Sequence, residues 1–143
     1  MQKLIFVNLP VTNLTASIAF YKALGADQNM NFSDHTAACM VLSETIHVML
    51  LTHDKYREFT SKEIPDAHSS AQVLLCLSEE SREAVDGQVA KATQAGGVAD
   101  PTPKQDYGFM YGRSYEDPDG HIWEVMWMDP AAAAGGPEAV ASA

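Results

Sequence analysis

The stretch EDPDGHIWEVMWMD, residues 116–129, places a single carboxylate, Glu124, inside a strongly apolar run. A carboxylate of this kind ligates a metal ion, acts as a general base or accepts hydrogen bonds from a ligand. Burying it without a partner costs several kcal/mol. The sequence therefore predicts that Glu124 has a partner, and we take Glu124 as the candidate catalytic residue.

The turn before this strand offers two internal partners. If DPDG closes a hairpin with a two-residue loop, Arg113 lies directly opposite Glu124 and forms a cross-strand ion pair. If Pro-Asp-Gly instead forms a three-residue loop with a left-handed glycine, Ser114 lies opposite and Arg113 turns to the other face. Gln72 is a third candidate donor. The sequence leaves these alternatives open, together with a structural or a ligand-contacting role for the carboxylate.

Composition excludes several classes of partner. The 143 residues carry a formal net charge of −10 and no basic cluster, so we expect neither nucleic acid nor membrane as a partner. The first residues lack the pattern of a signal peptide, which favours the cytoplasm. Cys39 and Cys76 each lie in an apolar run without CxxC-type spacing, and we expect both to be reduced and buried.

Hydrophobic periodicity divides the chain into two similar halves. In the first half, residues 4–11 have the composition of a strand, and NLTASIAFYKALG has the apolar spacing of a helix. Asn13 is its predicted N-cap and Gly25 lies just past its end. Three more strands are predicted at 28–34, 37–44 and 46–53.

The second half repeats this order after a polar linker at 54–70. Residues 71–78 form the predicted strand, and the helix that follows has Ser78 as its N-cap and ends at Gly96. Its core-facing residues are Val85, Val89 and Ala92. The remaining strands are predicted at 97–101, 108–115 and 121–128.

The resulting fold class is α+β, with two tandem βαβββ modules in one domain. Module one covers 1–53 and module two covers 71–130, while 131–143 are predicted to be a flexible tail. Each module leaves one sheet face uncovered by its helix. Two modules side by side would therefore curve a mixed sheet around a central cavity, which is the usual kind of ligand site.

Two passages resemble the vicinal oxygen chelate superfamily. NLPVTNLTASIAFYKALG resembles its opening strand and D-L-x-x-S-x-x-F-Y-x-x-L-G helix, with Asn13 in place of the usual aspartate. YGRSYEDPDGHIWEVMWMD resembles its closing D-P-D-G-x-x-x-E strand, and its details are similar to a lactoylglutathione lyase-like bacterial subgroup. The superfamily includes glyoxalase I, extradiol dioxygenases and the bleomycin- and fosfomycin-resistance proteins. The resemblance implies a glyoxalase-like fold for residues 1 to about 130 and does not fix an activity.

Members that hold a metal use one side chain from each of four strands, and the resemblance places these positions at Phe6, Met49, Gln72 and Glu124. Phenylalanine cannot ligate, and a methionine thioether does not suit a divalent ion in an oxygen/nitrogen site. Only Gln72 and Glu124 are competent ligands. His47 would complete a shifted set, but strand residues two apart lie about 7 Å apart. We therefore expect neither a metal nor another cofactor.

The pattern favours a cytoplasmic, homodimeric protein that binds a small, partly apolar molecule. The predicted polar contacts and walls of the site are Asn8, His47, Gln72, Arg113 and Glu124, and Phe6, Met49 and Tyr111. The alternative is a metal-dependent lyase or dioxygenase, in which Glu124 is a ligand or a base. A degenerate module that serves only in assembly is a third possibility, so the sequence leaves open whether the protein is an enzyme.

Overall fold

The computed structural model describes residues 1–141 and confirms the α+β class. The contacts divide the chain into two compact units. One comprises Met1–Ser70 with Pro118–Gly120, and the other comprises Ala71–Asp117 with the residues from His121 onward. Each contains the βαβββ order that the sequence predicts. No helix in the described part of the chain is long and apolar enough to cross a membrane.

The first unit is a mixed sheet with a helix against one face. Its elements are β1 (Ile5–Val11), α1 (Leu14–Ala23), β2 (Asp27–Asn29), β3 (Ala37–Val41), β4 (Ile46–Thr52) and α2 (His53–Arg57), with a 3₁₀ turn at Met30–Phe32. The strand order is β1-β4-β3-β2, in which β1 runs parallel to β4 and the other pairs are antiparallel. Asn13 caps α1 as predicted, because its side chain accepts a hydrogen bond from the Ala16 amide at 3.0 Å.

The second unit repeats this plan. Its elements are β5 (Leu75–Ser78), α3 (Arg82–Gln94), β6 (Val98–Ala99), β7 (Gln105–Asp106), β8 (Met110–Glu116), β9 (Ile122–Met128), α4 (Pro130–Gly135) and α5 (Glu138–Ala141). The strand order is β5-β9-β8-β6, with β5 parallel to β9 and the short β7 paired to β8. The sequence did not predict β7.

Alternation along the strands gives each sheet a buried face and an open face. In the first unit, Val48 and Leu50 of β4 are fully buried together with Phe20 of α1. In the second unit, the predicted core residues Val85, Val89 and Ala92 of α3 are all buried, as are Tyr115, Trp123 and Val125 of the sheet. The side chains between these positions therefore point to the opposite, open face.

Two predicted boundaries in the second unit were wrong. The strand predicted at 71–78 begins only at Leu75, which pairs with Trp123 of the parallel strand β9. The helix is capped by Ser81, whose side chain accepts from the Ala84 amide, and not by Ser78. Ser78 is still part of β5, where it pairs with Met126.

The segment predicted as a structureless tail contains the short helices α4 and α5 within its described part. Asp129 caps α4 by accepting from the Ala131 amide, and Ala132 is buried. Capping and burial of one alanine thus form a helix that the sequence lacks the apolar periodicity to predict. Residues 142 and 143 of the predicted tail lie outside the described residues.

The DPDG turn settles the register of β8 and β9. The Asp117 amide donates to the His121 carbonyl at 2.9 Å, so three residues form the loop and Ser114 lies opposite Glu124. Gly120 closes the loop with a φ of 90°, in the region that favours glycine. The three-residue alternative is therefore confirmed.

The turn residues 118–120 belong to the first unit, where Asp119 is almost fully buried. Its carboxylate accepts hydrogen bonds from the Thr12 amide at 2.9 Å, the Thr12 hydroxyl at 2.8 Å and the Ser17 hydroxyl at 3.3 Å. A carbon placed at the Cβ position of Gly120 would lie only 2.6 Å from the His68 backbone nitrogen. Glycine is therefore required here for both its φ and its size.

We predict that Gly120→Ala lowers the free energy of unfolding by more than Gly25→Ala. Gly25 also has a positive φ, of 104°, but a Cβ there meets nothing within 4 Å, so its substitution costs about 1–2 kcal/mol of backbone strain. Gly120→Ala adds the clash with the His68 backbone, at about 2 kcal/mol more. Urea unfolding of both variants measures the difference, and equal losses would contradict the structure.

Candidate functional site

Glu124 lies half-buried on the open face of the second unit's sheet. Its neighbours in sequence, Trp123 and Val125, are buried in the core, so alternation turns Glu124 to the other side. Ser114 is its partner on β8 and Cys76 is its partner on β5. The central strand thus presents the carboxylate between a hydroxyl and a thiol.

None of the predicted internal partners bonds to Glu124. The Ser114 hydroxyl lies 2.9 Å from the Thr102 hydroxyl and also accepts from the Thr102 amide at 3.3 Å. Gln72 is exposed and precedes β5, so it is not on the strand that the sequence assigned to it. Among the described residues, the Glu124 carboxylate has no hydrogen bond or ion pair.

Arg113 is bonded on the opposite face. Its Nε and Nη2 donate to the two Asp100 carboxylate oxygens at 3.0 and 2.7 Å, and its Nη1 donates to Asp86 Oδ1 at 2.9 Å. The Asp100 contact is the planar, bidentate arrangement that a guanidinium favours. Arg113 holds the pKa of the Asp100 carboxyl below its usual value. Two carboxylates therefore compensate the one charge of Arg113.

Tyr111 lies on the same face as Arg113. Its hydroxyl donates to Asp86 Oδ1 at 2.7 Å, and this hydrogen bond is the first cause of the lowered pKa of Asp86. The guanidinium of Arg82 lies 5.0 Å from the centre of the Tyr111 ring. The structure thus places Tyr111 against α3, whereas the sequence predicts it in the wall of a cavity.

The segment from residue 100 to residue 106 is held at both ends by ion pairs. Asp100 has a φ of 52°, a left-handed conformation that aspartate tolerates better than most residues. Its carboxylate is bound by Arg113, and its amide donates to the Ser114 carbonyl at 2.8 Å. At the other end, Arg82 binds both oxygens of Asp106 at 2.9 and 2.7 Å. This clamped segment faces the sheet beside Glu124.

A cavity of about 100 Å³ lies between the clamped segment and the open face of the sheet. Its walls combine a carboxylate, a thiol, a hydroxyl and an amide with apolar side chains. The lining residues are Cys76, Thr102, Pro103, Gln105, Met110, Gly112, Arg113, Glu124, Val125 and Met126. Methionine walls adapt to ligands of different shape, so the cavity combines adaptable apolar surface with one acceptor group.

Cys76 was wrongly predicted to be buried, whereas the prediction for Cys39 is confirmed. Cys76 is exposed because β5 is the edge strand and has only β9 beside it. Partial desolvation and the neighbouring charge of Glu124 raise the pKa of its thiol. At neutral pH Cys76 is therefore a neutral thiol and a poor nucleophile.

The four site residues predicted in the first unit lie together on the open face of its sheet. Phe6 pairs with His47 and Asn8 pairs with Met49 across the parallel strands β1 and β4. The Phe6 and His47 rings stack with their centres 4.6 Å apart. The buried Nδ1 atom of His47 has no hydrogen-bond partner in the described part of the chain. The sequence correctly grouped these residues by strand parity.

The residues at the four family metal positions do not suit a divalent ion. Phe6 offers no donor atom, Met49 offers only a thioether, and Gln72 lies outside the strand that would aim it. Within the described residues, no three His, Cys, Asp or Glu side chains come together in a group that could hold a metal. Glu124 is the remaining charged donor of the four.

Paired βαβββ modules with an open sheet face define a known class of α+β proteins. Residues 3–125 match the family model described as Glyoxalase/Bleomycin resistance protein/Dioxygenase superfamily, and the chain belongs to this superfamily. This confirms the resemblance drawn from the two sequence passages. No protein among those with curated functions matches the chain.

Solved structures agree on the fold. A hypothetical protein from S. aureus has a TM-score of 0.74 and 24% identity, over 89% of this chain and 94% of its own. A glyoxalase/bleomycin resistance protein/dioxygenase family enzyme from Burkholderia phytofirmans PsJN has a TM-score of 0.72 and 20% identity, over 89% of this chain and 99% of its own. The fosfomycin resistance protein FosX from Listeria monocytogenes has a TM-score of 0.63 and 16% identity, over 89% of this chain and 91% of its own. At these identities the likeness shows the fold alone.

The structure adds residues to the site that the sequence did not suggest. Cys76 lies an even number of residues from Gln72 and would therefore point to the same sheet face. If the start of β5 had been predicted correctly, Cys76 would have been identified as the residue of this strand beside Glu124. Thr102, Pro103 and Gln105 come from a loop with no periodicity, and no sequence signal places them near Glu124.

The clamp gives a prediction about pH. Arg82 lowers the pKa of Asp106 from 3.8 to about 2, with a further contribution from the Gly108 amide. Because the folded-state pKa is depressed, the resulting stability is complete above pH 3.8 and is lost as the pH falls through about 2. We predict that Arg82→Gln raises the Asp106 pKa but leaves it below 3.8, since the Gly108 amide still donates at 3.0 Å.

Carbon-detected NMR titration of the Asp106 carboxyl measures this pKa directly. Arg57→Gln is a matched control, because it removes the same charge from an ion pair with Asp54 in the other unit. It should leave Asp106 unchanged. A wild-type Asp106 that titrates at 3.8 would show that the clamp does not form in solution.

Proposed function

We propose that this protein binds a small, partly apolar molecule at Glu124, in the cavity of the second unit, without a catalytic metal. One observation carries the proposal: a half-buried carboxylate in a partly apolar cavity has no hydrogen-bond partner among the described residues. A folded protein normally pairs such a group, because desolvation without a hydrogen bond is costly. A bound molecule that donates to Glu124 would offset that cost.

The surroundings support binding more than catalysis. A catalytic divalent site usually needs about three protein ligands, and the four family positions supply one carboxylate and one misplaced amide. The nearby thiol of Cys76 is kept protonated by its raised pKa, which argues against a nucleophilic role. Thr102 and Gln105 add neutral polar groups that orient a ligand without chemistry.

Superfamily membership permits both a binding protein and an enzyme, since its description covers resistance proteins and dioxygenases. In the second case Glu124 would ligate a metal or move a proton at a metal-polarised substrate. The residues at the four family metal positions favour the binding protein, because they do not provide enough metal ligands. The solved neighbour named as a fosfomycin resistance protein is in keeping with small-molecule binding on this fold.

Metal analysis of protein purified without chelator, together with Glu124→Gln, tests the proposal. We predict no stoichiometric divalent metal in either protein, because one carboxylate cannot hold the ion alone. Small apolar molecules that bind should raise the melting temperature of the wild type more than that of the variant. Stoichiometric metal that is lost in Glu124→Gln would overturn the binding function and favour the enzyme.

We further propose that the protein is a cytoplasmic homodimer. Two edge strands support the dimer: Ile5 and Phe6 on β1 are 54% and 50% exposed, and Val73 and Leu74 before β5 are 62% and 53% exposed. Apolar side chains on an open strand edge favour pairing with another chain. Two unpaired cysteines, one of them exposed, suit a reducing compartment.

Light scattering should give a mass of twice 15.5 kDa for the wild type. Ile5→Lys places a charge on this edge without removing a buried side chain, and we predict that it shifts the protein toward the monomer. Gln2→Lys adds the same charge at a nearby exposed residue and controls for a general effect of charge. A monomeric wild type would contradict the proposal.

A further inference from the structure

We infer that the ligand of this cavity is a small organic cation, with an apolar body and an ammonium or similar donor group. The inference rests on the proposed function and names the chemical class that the same site selects. It follows from the balance of charge around the cavity, from the lack of a donor to Glu124 among the described residues and from the apolar walls.

The cavity has one uncompensated charge. Among the lining residues only Arg113 and Glu124 are charged. Arg113 is compensated by Asp86 and Asp100 at 2.9 and 2.7 Å, and its side chain is only 14% exposed. Lys104 also acts on these two aspartates, whose pKa values it lowers. The potential inside the cavity is therefore negative.

None of the described residues beside Glu124 donates a hydrogen bond to its carboxylate. An ionised carboxylate only accepts hydrogen bonds, so its ligand must donate. Ser114, directly opposite, has its hydroxyl bonded to Thr102, which the clamped segment from residue 100 to residue 106 holds in place. Asp100 and Arg113 are thus positioning residues for the cavity. Their ion pair fixes the segment whose Thr102 hydroxyl forms a hydrogen bond with Ser114. A neutral donor already forms a charge-assisted hydrogen bond with an ionised carboxylate, and a cationic donor adds Coulomb attraction to it.

The other walls are suited to an apolar body. Met110, Met126 and Pro103 present hydrocarbon and sulfur surface beside the carboxylate. Gly112 leaves space on the sheet: a Cβ there would meet its nearest atoms at 3.8 and 3.9 Å, which are ordinary contact distances. A larger side chain at this strand position would therefore occupy the cavity without a backbone clash. An amphipathic cation fits these walls, and an anion is repelled.

The test compares benzylamine, benzyl alcohol and benzoate, which share one ring and differ in charge. Their binding to the 143-residue chain is followed by NMR, through the shifts of Met126 and Gly112. We predict that benzylamine binds at least about tenfold more tightly than benzyl alcohol and that benzoate does not bind. Glu124→Gln should abolish this preference, and Gly112→Val should remove the binding of both benzylamine and benzyl alcohol.

Glu63→Gln is the matched control for charge, because it neutralises an exposed glutamate of the other unit. It should bind benzylamine like the wild type, whereas an equal loss in Glu63→Gln and Glu124→Gln would reduce the effect to net charge and overturn the inference. Benzyl alcohol and benzylamine could instead bind equally, with no effect of Glu124→Gln but a loss in Gly112→Val. That result would overturn the inference of a cationic ligand, while the proposed binding function would stand. No binding of any of the three to the wild type would overturn both. Unchanged unfolding midpoints of the variants exclude misfolding as the cause of a loss.

Discussion

The arrangement of the second unit depends on the register that the DPDG turn sets between β8 and β9. A shift of one residue in an antiparallel pair exchanges the two faces of the moving strand. The three-residue loop, closed by Gly120 at a φ of 90°, puts Ser114 opposite Glu124. A two-residue loop would have put Arg113 there and would have given Glu124 an ion pair inside the protein. The turn thus decides whether the carboxylate has a partner.

The same register gives Arg113 its role. Its side chain points toward α3 and donates hydrogen bonds to Asp86 and Asp100. The contact with Asp100 stabilises the left-handed backbone conformation of that residue. The segment that follows then reaches back over the sheet, where Thr102 engages Ser114. The type of turn therefore determines the distribution of charge on both faces. A compensated cation lies against the helix, and the open face has an anion that no described residue compensates.

Local pattern was enough to predict most of the fold, because strand alternation, the Asn13 cap and the apolar spacing of α3 are short-range features. The sequence also limited the turn to two alternatives, but choosing between them needs the backbone angle at Gly120. The clamp was beyond sequence reasoning, since Arg82 and Asp106 lie 24 positions apart and no local pattern indicates that they pair. The exposure of Cys76 depends on the order of strands in the sheet, and the start of β5 depends on its pairing with β9, which is distant in sequence.

A purely structural role for Glu124 would require a donor that offsets its desolvation. The chain has a suitable guanidinium on the adjacent strand, one position out of register, yet that group has two aspartates on the far side of the sheet. Moving a carboxylate from bulk water to a half-buried position among methionines stabilises nothing by itself. The arrangement is unfavourable by itself, and a cation of the proposed kind would offset its cost. The physical asymmetry of the two sheet faces therefore favours a role for Glu124 in binding over a role in folding.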